Sequence, residues 1–540
     1  MRKQSLAKGK PHPHRYETIG LLIVLLFAAG VRLPGLFSQA IWYDEAITLL
    51  ETAGHAEPLW PHTPTSAQMI KTQFEGAPTL GKLAEDLRRV DIHPPIYYWL
   101  LSLWRRWTGF SLEQARLFSF FCSLGAILAL YFLFRAGEVE RPLTLTLVYA
   151  VSTGAVYSGQ EARAYALAIF FVVAGVLFAY VSWRAALQRE RRSVAYALAM
   201  AVCCSAAFHT NYLTLFSISI TLLWFILCLW SHSRVLAVLA PLIAVGLGSM
   251  GLPTLLQQLG ARPHQYVGFV GMWEEIQTIR KLAWQVVWNP IFLSDRIGHW
   301  IYKGRGVVLG GLFVFSLAQI FRHRRGMNRQ LAALLLGLAV GPAIGLALLD
   351  FYFNRRLHQF TYLIFAGPAL AFLVTYGMST LFTSQRWLGA LLLGALVSLQ
   401  TASVNWGSTK RLRGHPGVDM RRLARLIDTT SSPSHVVVIG RGDHGEPGHP
   451  GAVVYELKPH TMVVVLSPET NIEELLTSLQ DYEDIWLVRS VDRVTVDIER
   501  RFINRLQEST RYRVMLNQAP AIRFHRDAPP SRISGEGFQL

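Results

Sequence analysis

Charge is scarce in this 540-residue chain. Only 16% of residues are Asp, Glu, Lys or Arg, whereas 51% are hydrophobic. That balance excludes an ordinary soluble globular protein and a disordered one. Cysteine is scarcer still. Cys122, Cys203, Cys204 and Cys228 all fall within apolar segments, and none is spaced with His as a metal ligand. A disulfide framework and a zinc module are thereby excluded, and the thiols read as small hydrophobes. Acid is also in deficit, with 35 acidic residues against 52 Lys and Arg, a formal charge of +17. In a soluble chain that excess would point to nucleic acid. Here short basic loops between apolar runs account for it, so no nucleic-acid partner is implied. A clear internal repeat, the mark of many transporters, is absent.

What is abundant is apolar sequence in runs long enough to cross a bilayer. They lie at about 18–37, 114–135, 143–158, 164–183, 194–210, 212–230, 235–257, 303–321, 331–350, 360–381 and 386–404. The expected fold class is a polytopic α-helical membrane protein with about eleven spans. The basic N-terminus (Arg2, Lys3, Lys8, Lys10, Arg15) before the first run resembles a signal peptide; we expect an uncleaved span. The basic loops 184–192 and 322–329 should be cytoplasmic, as should the N-terminus. Parity then makes the short stretch 94–109, with Trp104-Arg-Arg-Trp107, an interfacial helix rather than a span. The loop 38–113, the turns 158–163 and 351–359, the loop 258–302 and the tail after about 405 share the outer face.

The expected domains are therefore 1–404, in the membrane, and 405–540, outside it. In the tail, β-rich runs at 435–440, 461–466, 484–488 and 512–516 alternate with helical patterns at 418–428, 471–480 and 494–508. Such alternation indicates a small α/β domain with a largely parallel sheet. Its Gly440-Arg-Gly-Asp-His-Gly loop lacks the fuller fingerprint of a nucleotide site.

Polar residues recur at span ends on the outer face. Asp44 and Glu45 follow span one in Ile41-Trp-Tyr-Asp-Glu-Ala46. Asp91-Ile-His93-Pro94-Pro95-Ile-Tyr97-Tyr98 opens the interfacial helix. Gln160-Glu161-Ala-Arg163-Ala-Tyr165 and Asn354-Arg355-Arg356-Leu-His358-Gln359 lie between later spans. Each has a bland reading: solvated acids, a proline helix start, lipid-binding arginines, belt aromatics. Clustered arginines on the outer side run against the positive-inside bias, which favours a functional reading. A carboxylate at the membrane edge is partly desolvated and so a stronger base.

In combination these motifs resemble the GT-C superfamily of integral-membrane glycosyltransferases. The resemblance is to the branch with the protein O-mannosyltransferases, the aminoarabinose transferases of lipid A and the RgtA/B/C/D-like enzymes. It covers about residues 15–405. It is carried by Trp42-Tyr-Asp44-Glu45, His93-Pro-Pro-Ile-Tyr97, Tyr157-Ser-Gly-Gln160-Glu161-Ala-Arg163-Ala-Tyr165, and an arginine turn before a span containing Pro368. The family often has Arg-Tyr in that turn where this chain has Arg355-Arg356-Leu357.

The resemblance implies an inverting transferase that moves a sugar from a polyprenyl-phosphate-linked donor to an extracytoplasmic lipid, glycan or protein acceptor. It implies Asp44 as base, with Glu45 in support. Arg355 or Arg356 would meet the donor phosphate, aided by Arg163 and His93, with Asp91, Gln160, Glu161, Tyr165 and His358 lining the substrate site. Arginine suits phosphate through permanent charge and bidentate geometry. Some members hold a divalent cation, Mg or Mn, and Asp44, Glu45 and Asp91 are the candidate ligands. The expected location is the bacterial inner membrane, with site and tail on the periplasmic face. The competing class is a transporter or flippase of a lipid-linked or anionic substrate, since charges near a bilayer also mark transport paths.

Overall fold

A computed structural model describes residues 13–261, 271–289, 295–322, 329–353, 360–405, 419–441, 448–489, 496–509, 511–518 and 521–526. In chain order, α1 (Pro13–Ser38) and α2 (Tyr43–Thr52) precede strand β1 (Thr65–Ser66). Next come α3 (Ala67–Lys71), α4 (Leu80–Val90), α5 (Ile96–Thr108), α6 (Leu112–Ala136), α7 (Pro142–Ala150) and α8 (Thr153–Gln160). Then follow α9 (Tyr165–Leu187), α10 (Arg192–Phe208), α11 (Leu215–Leu229), α12 (Arg234–Ser249), α13 (Leu252–Ala261) and α14 (Met272–Val287). The helical run closes with α15 (Asp295–Arg322), α16 (Arg329–Phe353), α17 (Gly367–Ser384) and α18 (Arg386–Asn405). The tail reads α19 (Met420–Thr430), β2 (His435–Gly440), α20 (Gly448–Glu456), β3 (Met462–Leu466), α21 (Ile472–Ser478), β4 (Asp484–Val488), α22 (Val496–Glu508), β5 (Tyr512–Gln518) and β6 (Ala521–Arg526).

These elements form two compact units. One comprises Met1–Gln39, Leu87–Trp104 and Glu113–Gly414; the other Ala40–Asp86, Arg105–Leu112 and His415–Leu540. The division differs from a linear boundary at 404/405, because most of the loop 38–113 belongs with the tail.

The first unit is helical. Among the described residues, seven helices are long and apolar enough to cross a membrane, and α10, α12 and residues 386–402 of α18 are shorter apolar helices. The chain is a polytopic α-helical membrane protein, with seven such helices where about eleven spans were expected. The expected span 143–158 is two helices. Ser152 is extended (φ −62°, ψ 147°), so α7 and α8 are 9 and 8 residues long, each too short to cross alone. The expected span 235–257 likewise divides into α12 and α13. Helix α5, 13 residues, is about 20 Å long and shorter than a hydrocarbon core. It starts directly after Pro94-Pro95, which cannot donate the amides that a first turn leaves unpaired. Most residues of 361–379 are buried, whereas only a third of the first span's apolar window is, and that span exposes Leu22, Ile23 and Leu26. Apolar side chains turned outward suit a lipid environment.

The second unit is a six-stranded mixed sheet, ordered β1-β3-β2-β4-β6-β5. The three central strands are parallel; β1, β5 and β6 join antiparallel. Val436–Ile439, Val463–Leu466 and Ile485–Val488 are completely buried, as expected of parallel strands covered on both faces. Leu475, Leu479, Phe502 and Leu506 of the flanking segments pack with them. The expected strands all occur, and two more join them. Strand β1 comes from the first loop, with Thr65 opposite Val463 and Ser66 opposite Met462.

Candidate active site

In the membrane unit, the two most distinctive sequence motifs meet through four side chains. Helix α4 ends at Val90, and Asp91 begins the turn into α5. The Asp91 carboxylate accepts from the Ile92 amide at 2.6 Å and from His93 Nδ1 at 2.9 Å. The other ring nitrogen, Nε2, faces Arg163 Nη2 at 3.0 Å. Arginine can only donate, so Nε2 accepts and the imidazole carries its proton on Nδ1. Arg163 Nη1 donates to the Tyr98 hydroxyl at 3.4 Å, and that hydroxyl donates back to Asp91 at 3.2 Å. The result is a closed ring: carboxylate, imidazole, guanidinium, phenol. Asp91, Tyr98 and Arg163 are buried. Burial pushes the Asp91 carboxyl up, but His93, Arg163 and the Ile92 amide outweigh it and hold it far below the usual carboxylate range.

The ring stands on a seat of close helix packing. Helix α8 ends at Glu161, which is extended (φ −115°, ψ 141°), and the Arg163 amide donates to the Glu161 carbonyl across the turn. Ser119 of α6 donates to the Arg163 carbonyl and contacts the Tyr97 hydroxyl. Gln160 donates to the Arg32 carbonyl at 3.0 Å and accepts from Gln39 at 3.2 Å, so both ends of its amide engage the α1 segment. Two glycines make this possible. A Cβ on Gly35 would lie 2.2 Å from Gln160 Nε2, and one on Gly159 would lie 2.9 Å from Arg32 Nε and Ser123 Cβ. The Ser-Gly-Gln of the third motif is thus an interlock of α8 with α1.

Sequence reasoning missed Arg32 and Arg116. Both are fully buried. Arg32 donates to Ser123 Oγ and to the Ala28 carbonyl. Arg116 donates to the Leu36 and Gln39 carbonyls and so ties down the end of α1. The signal was present, since each is a charge inside an apolar run.

In the sheet unit, Asp44 and Glu45 occupy the first turn of α2, where the helix dipole favours a carboxylate. Glu45 is fully buried and Asp44 half-buried. Glu161 and Tyr165 are buried in the membrane unit. Arg355, Arg356 and His358 lie outside the described residues. Among the described residues no group of three or more His, Cys, Asp or Glu is arranged to hold a metal ion. The Asp91 carboxylate engages His93, Tyr98 and the Ile92 amide.

No family model and no curated protein matches the chain. Solved structures do. ArnT from Cupriavidus metallidurans in the apo state superposes with a TM-score of 0.52 at 12% identity, over 94% of this chain and 98% of that one. This chain shares the fold of that protein. The same protein bound to undecaprenyl phosphate gives 0.49 at 12% identity, over 95% and 98%. Arabinofuranosyltransferase AftD from Mycobacteria gives 0.49 at 13% identity, over 96% of this chain and 40% of that one. At such identities the likeness is one of fold, and the chemistry of this chain rests on its own residues.

Proposed function

We propose that this GT-C protein is an inverting glycosyltransferase, moving a sugar from a polyprenyl-phosphate-linked donor to an extracytoplasmic lipid, glycan or protein acceptor. The observation that carries the reading is the ring that orients Arg163 through His93 and Asp91 where apolar helices end. A fixed guanidinium is suited to a phosphate that gains charge as it leaves. Arg355 or Arg356 shares this task, and apolar helices accommodate the lipid tail. Asp44 is the base. The acceptor O–H breaks and its proton passes to Asp44. The acceptor oxygen bonds to the anomeric carbon from the face opposite the phosphate. The bond from that carbon to the phosphate oxygen breaks, and the electron pair leaves on the phosphate. A positioned base contributes about 10²–10⁴-fold. The reading places the reaction on the periplasmic face of a bacterial inner membrane.

The test is incubation of purified protein with a panel of polyprenyl-phosphate sugars, reading sugar release and transfer. Wild type should turn over at least one donor, and Asp44→Asn should remain folded and transfer nothing. Near-normal transfer by that variant would remove Asp44 as base. If wild type neither binds nor turns over any donor, the transporter reading prevails.

A further inference from the structure

The sheet unit contains its own account of how the acidic pair is held. Helix α2 lacks a side-chain cap at Trp42. Its start is fixed instead by a residue more than 400 positions away: the Ile41 amide donates to Glu456 Oε1 at 3.0 Å. Glu456 sits at the C-terminal end of α20, where a helix dipole disfavours a carboxylate. Its charge is balanced by Arg421, whose Nε donates to Oε2 at 2.9 Å and Nη2 to Oε1 at 3.3 Å. The Glu456 side chain is 8% exposed. A buried carboxylate in an unfavourable place, aimed at one backbone amide three residues before Asp44, is an expensive way to stabilise a helix and an effective way to place one.

The surrounding contacts converge on the same segment. A Cβ on Gly451 of α20 would lie 3.3 Å from Ala46 Cβ, 3.4 Å from Leu50 and 3.5 Å from Phe74, so α2 and α20 are in close contact. Lys71 Nζ donates to the Leu457 carbonyl at 2.6 Å, and the Tyr455 ring meets Phe74 edge-on at 5.3 Å. Strand β1 adds to β3 just before Lys71.

We propose that Glu456 is a positioning residue for Asp44, and that holding α2 is a function of the C-terminal sheet. The catalytic half of this inference rests on the reading of Asp44 as base. In the full chain, Glu456→Ala should lower kcat roughly ten- to hundredfold, as small misplacements of a reacting group do, with KM for the donor unchanged. Glu456→Gln, which can still accept from Ile41, should retain more activity than Ala. The Cβ approach at Ala46 and Gly451 is close to disulfide spacing. Ala46→Cys with Gly451→Cys should therefore cross-link on oxidation and restore kcat when added to Glu456→Ala.

Amide hydrogen exchange of residues 43–52 gives a readout independent of catalysis, and it should speed up in Glu456→Ala. Unchanged exchange in a folded Glu456→Ala variant overturns the proposal whatever Asp44 does. Faster exchange with active Asp44→Asn retains the positioning role and removes only the base assignment. Full kcat in Glu456→Ala alongside inactive Asp44→Asn overturns the positioning role and keeps the base.

Discussion

Among the described residues, both units contain a buried aspartate with a histidine and an arginine, and the two clusters are wired differently. In the sheet unit, Arg523 grips Asp484 with two hydrogen bonds, 3.1 and 3.0 Å, and His525 Nδ1 adds a third at 2.9 Å. The Ser432 amide donates to the same carboxylate. In the membrane unit, His93 and Tyr98 stand between Asp91 and Arg163. A carboxylate that takes a guanidinium two-handed commits both groups to each other, which makes a fastener. An imidazole between them transmits orientation, while His93 and Tyr98 together aim the guanidinium. Placement agrees with wiring. Asp484 opens a central strand, opposite His435 on one side and His525 on the other, so it fastens one end of three neighbouring strands. Asp91 and Arg163 sit in turns between helices, where function is more often carried.

The sharpest break of this comparison is Arg163→Ala. If the ring serves transfer, the variant should lose about 10²–10³-fold in kcat/KM, the magnitude seen when one oriented charge-stabilising donor is removed. Arg163→Lys should recover little, because a point charge cannot hold both His93 and Tyr98. Steady-state transfer assays on protein of matched thermal stability check this. A loss below threefold would reduce the ring to a second fastener.

The opposite outcome is expected at Asp484. Asp484→Asn leaves Arg523 and His525 without their anion. Removing one partner of a buried pair costs about 3–5 kcal/mol, and partial exposure of Arg523 and His525 brings the expectation nearer 2 kcal/mol, with transfer per folded molecule unchanged. Burial pushes the Asp484 carboxyl up, but hydrogen bonds from Arg523, Ser432 and His525 bring it down to about 2. A depressed folded value means that the stabilisation is present above the unfolded carboxyl range near pH 4 and is lost as pH falls through about 2. Urea unfolding of wild type and variant should therefore differ by a constant amount above about pH 5 and converge between pH 4 and 2. A difference independent of pH would show that the charge of Asp484 is not what fastens these strands.

Much of this architecture is legible in the sequence, because apolar length and period are local properties. The central strands and nearly all the apolar helices fall where their runs predict. The division of 143–158 is not legible, since nothing in Val151-Ser152 announces a break that tertiary packing imposes. Strand β1 is two residues long and is defined only by its partner, Met462–Val463. Strand β6 was hidden by its charges, Arg523, His525 and Arg526. At the site, His93 and Arg163 were each legible as motif residues, but the ring joins positions 70 apart and needs Tyr98, which its aromatic neighbours made look like a belt residue. Gln160 and Gly159 were legible as a motif and not as an interlock, because a glycine's role in close approach depends on what lies opposite.

That interlock gives the smallest and most local test, and it asks whether the ring is seated as firmly as the sheet cluster. Strand register fixes Asp484; the seat beneath Arg163 depends on α8 lying against α1 at Gly159. Gly159→Ala would bring a methyl to 2.9 Å from Arg32 Nε and from Ser123 Cβ and Oγ. Overpacking of this kind costs about 1–3 kcal/mol, and the lower end is expected because the Arg32 side chain has some freedom to shift. Gly30→Ala on α1 is the matched control, since nothing lies within 4 Å of its Cβ, and replacing a helical glycine there should leave stability unchanged or raise it slightly. Thermal unfolding in detergent reads both. If Gly159→Ala and Gly30→Ala melt alike, the close approach of α8 to α1 is not what holds the turn, and the ring owes its geometry to Ser119 and Tyr97 instead.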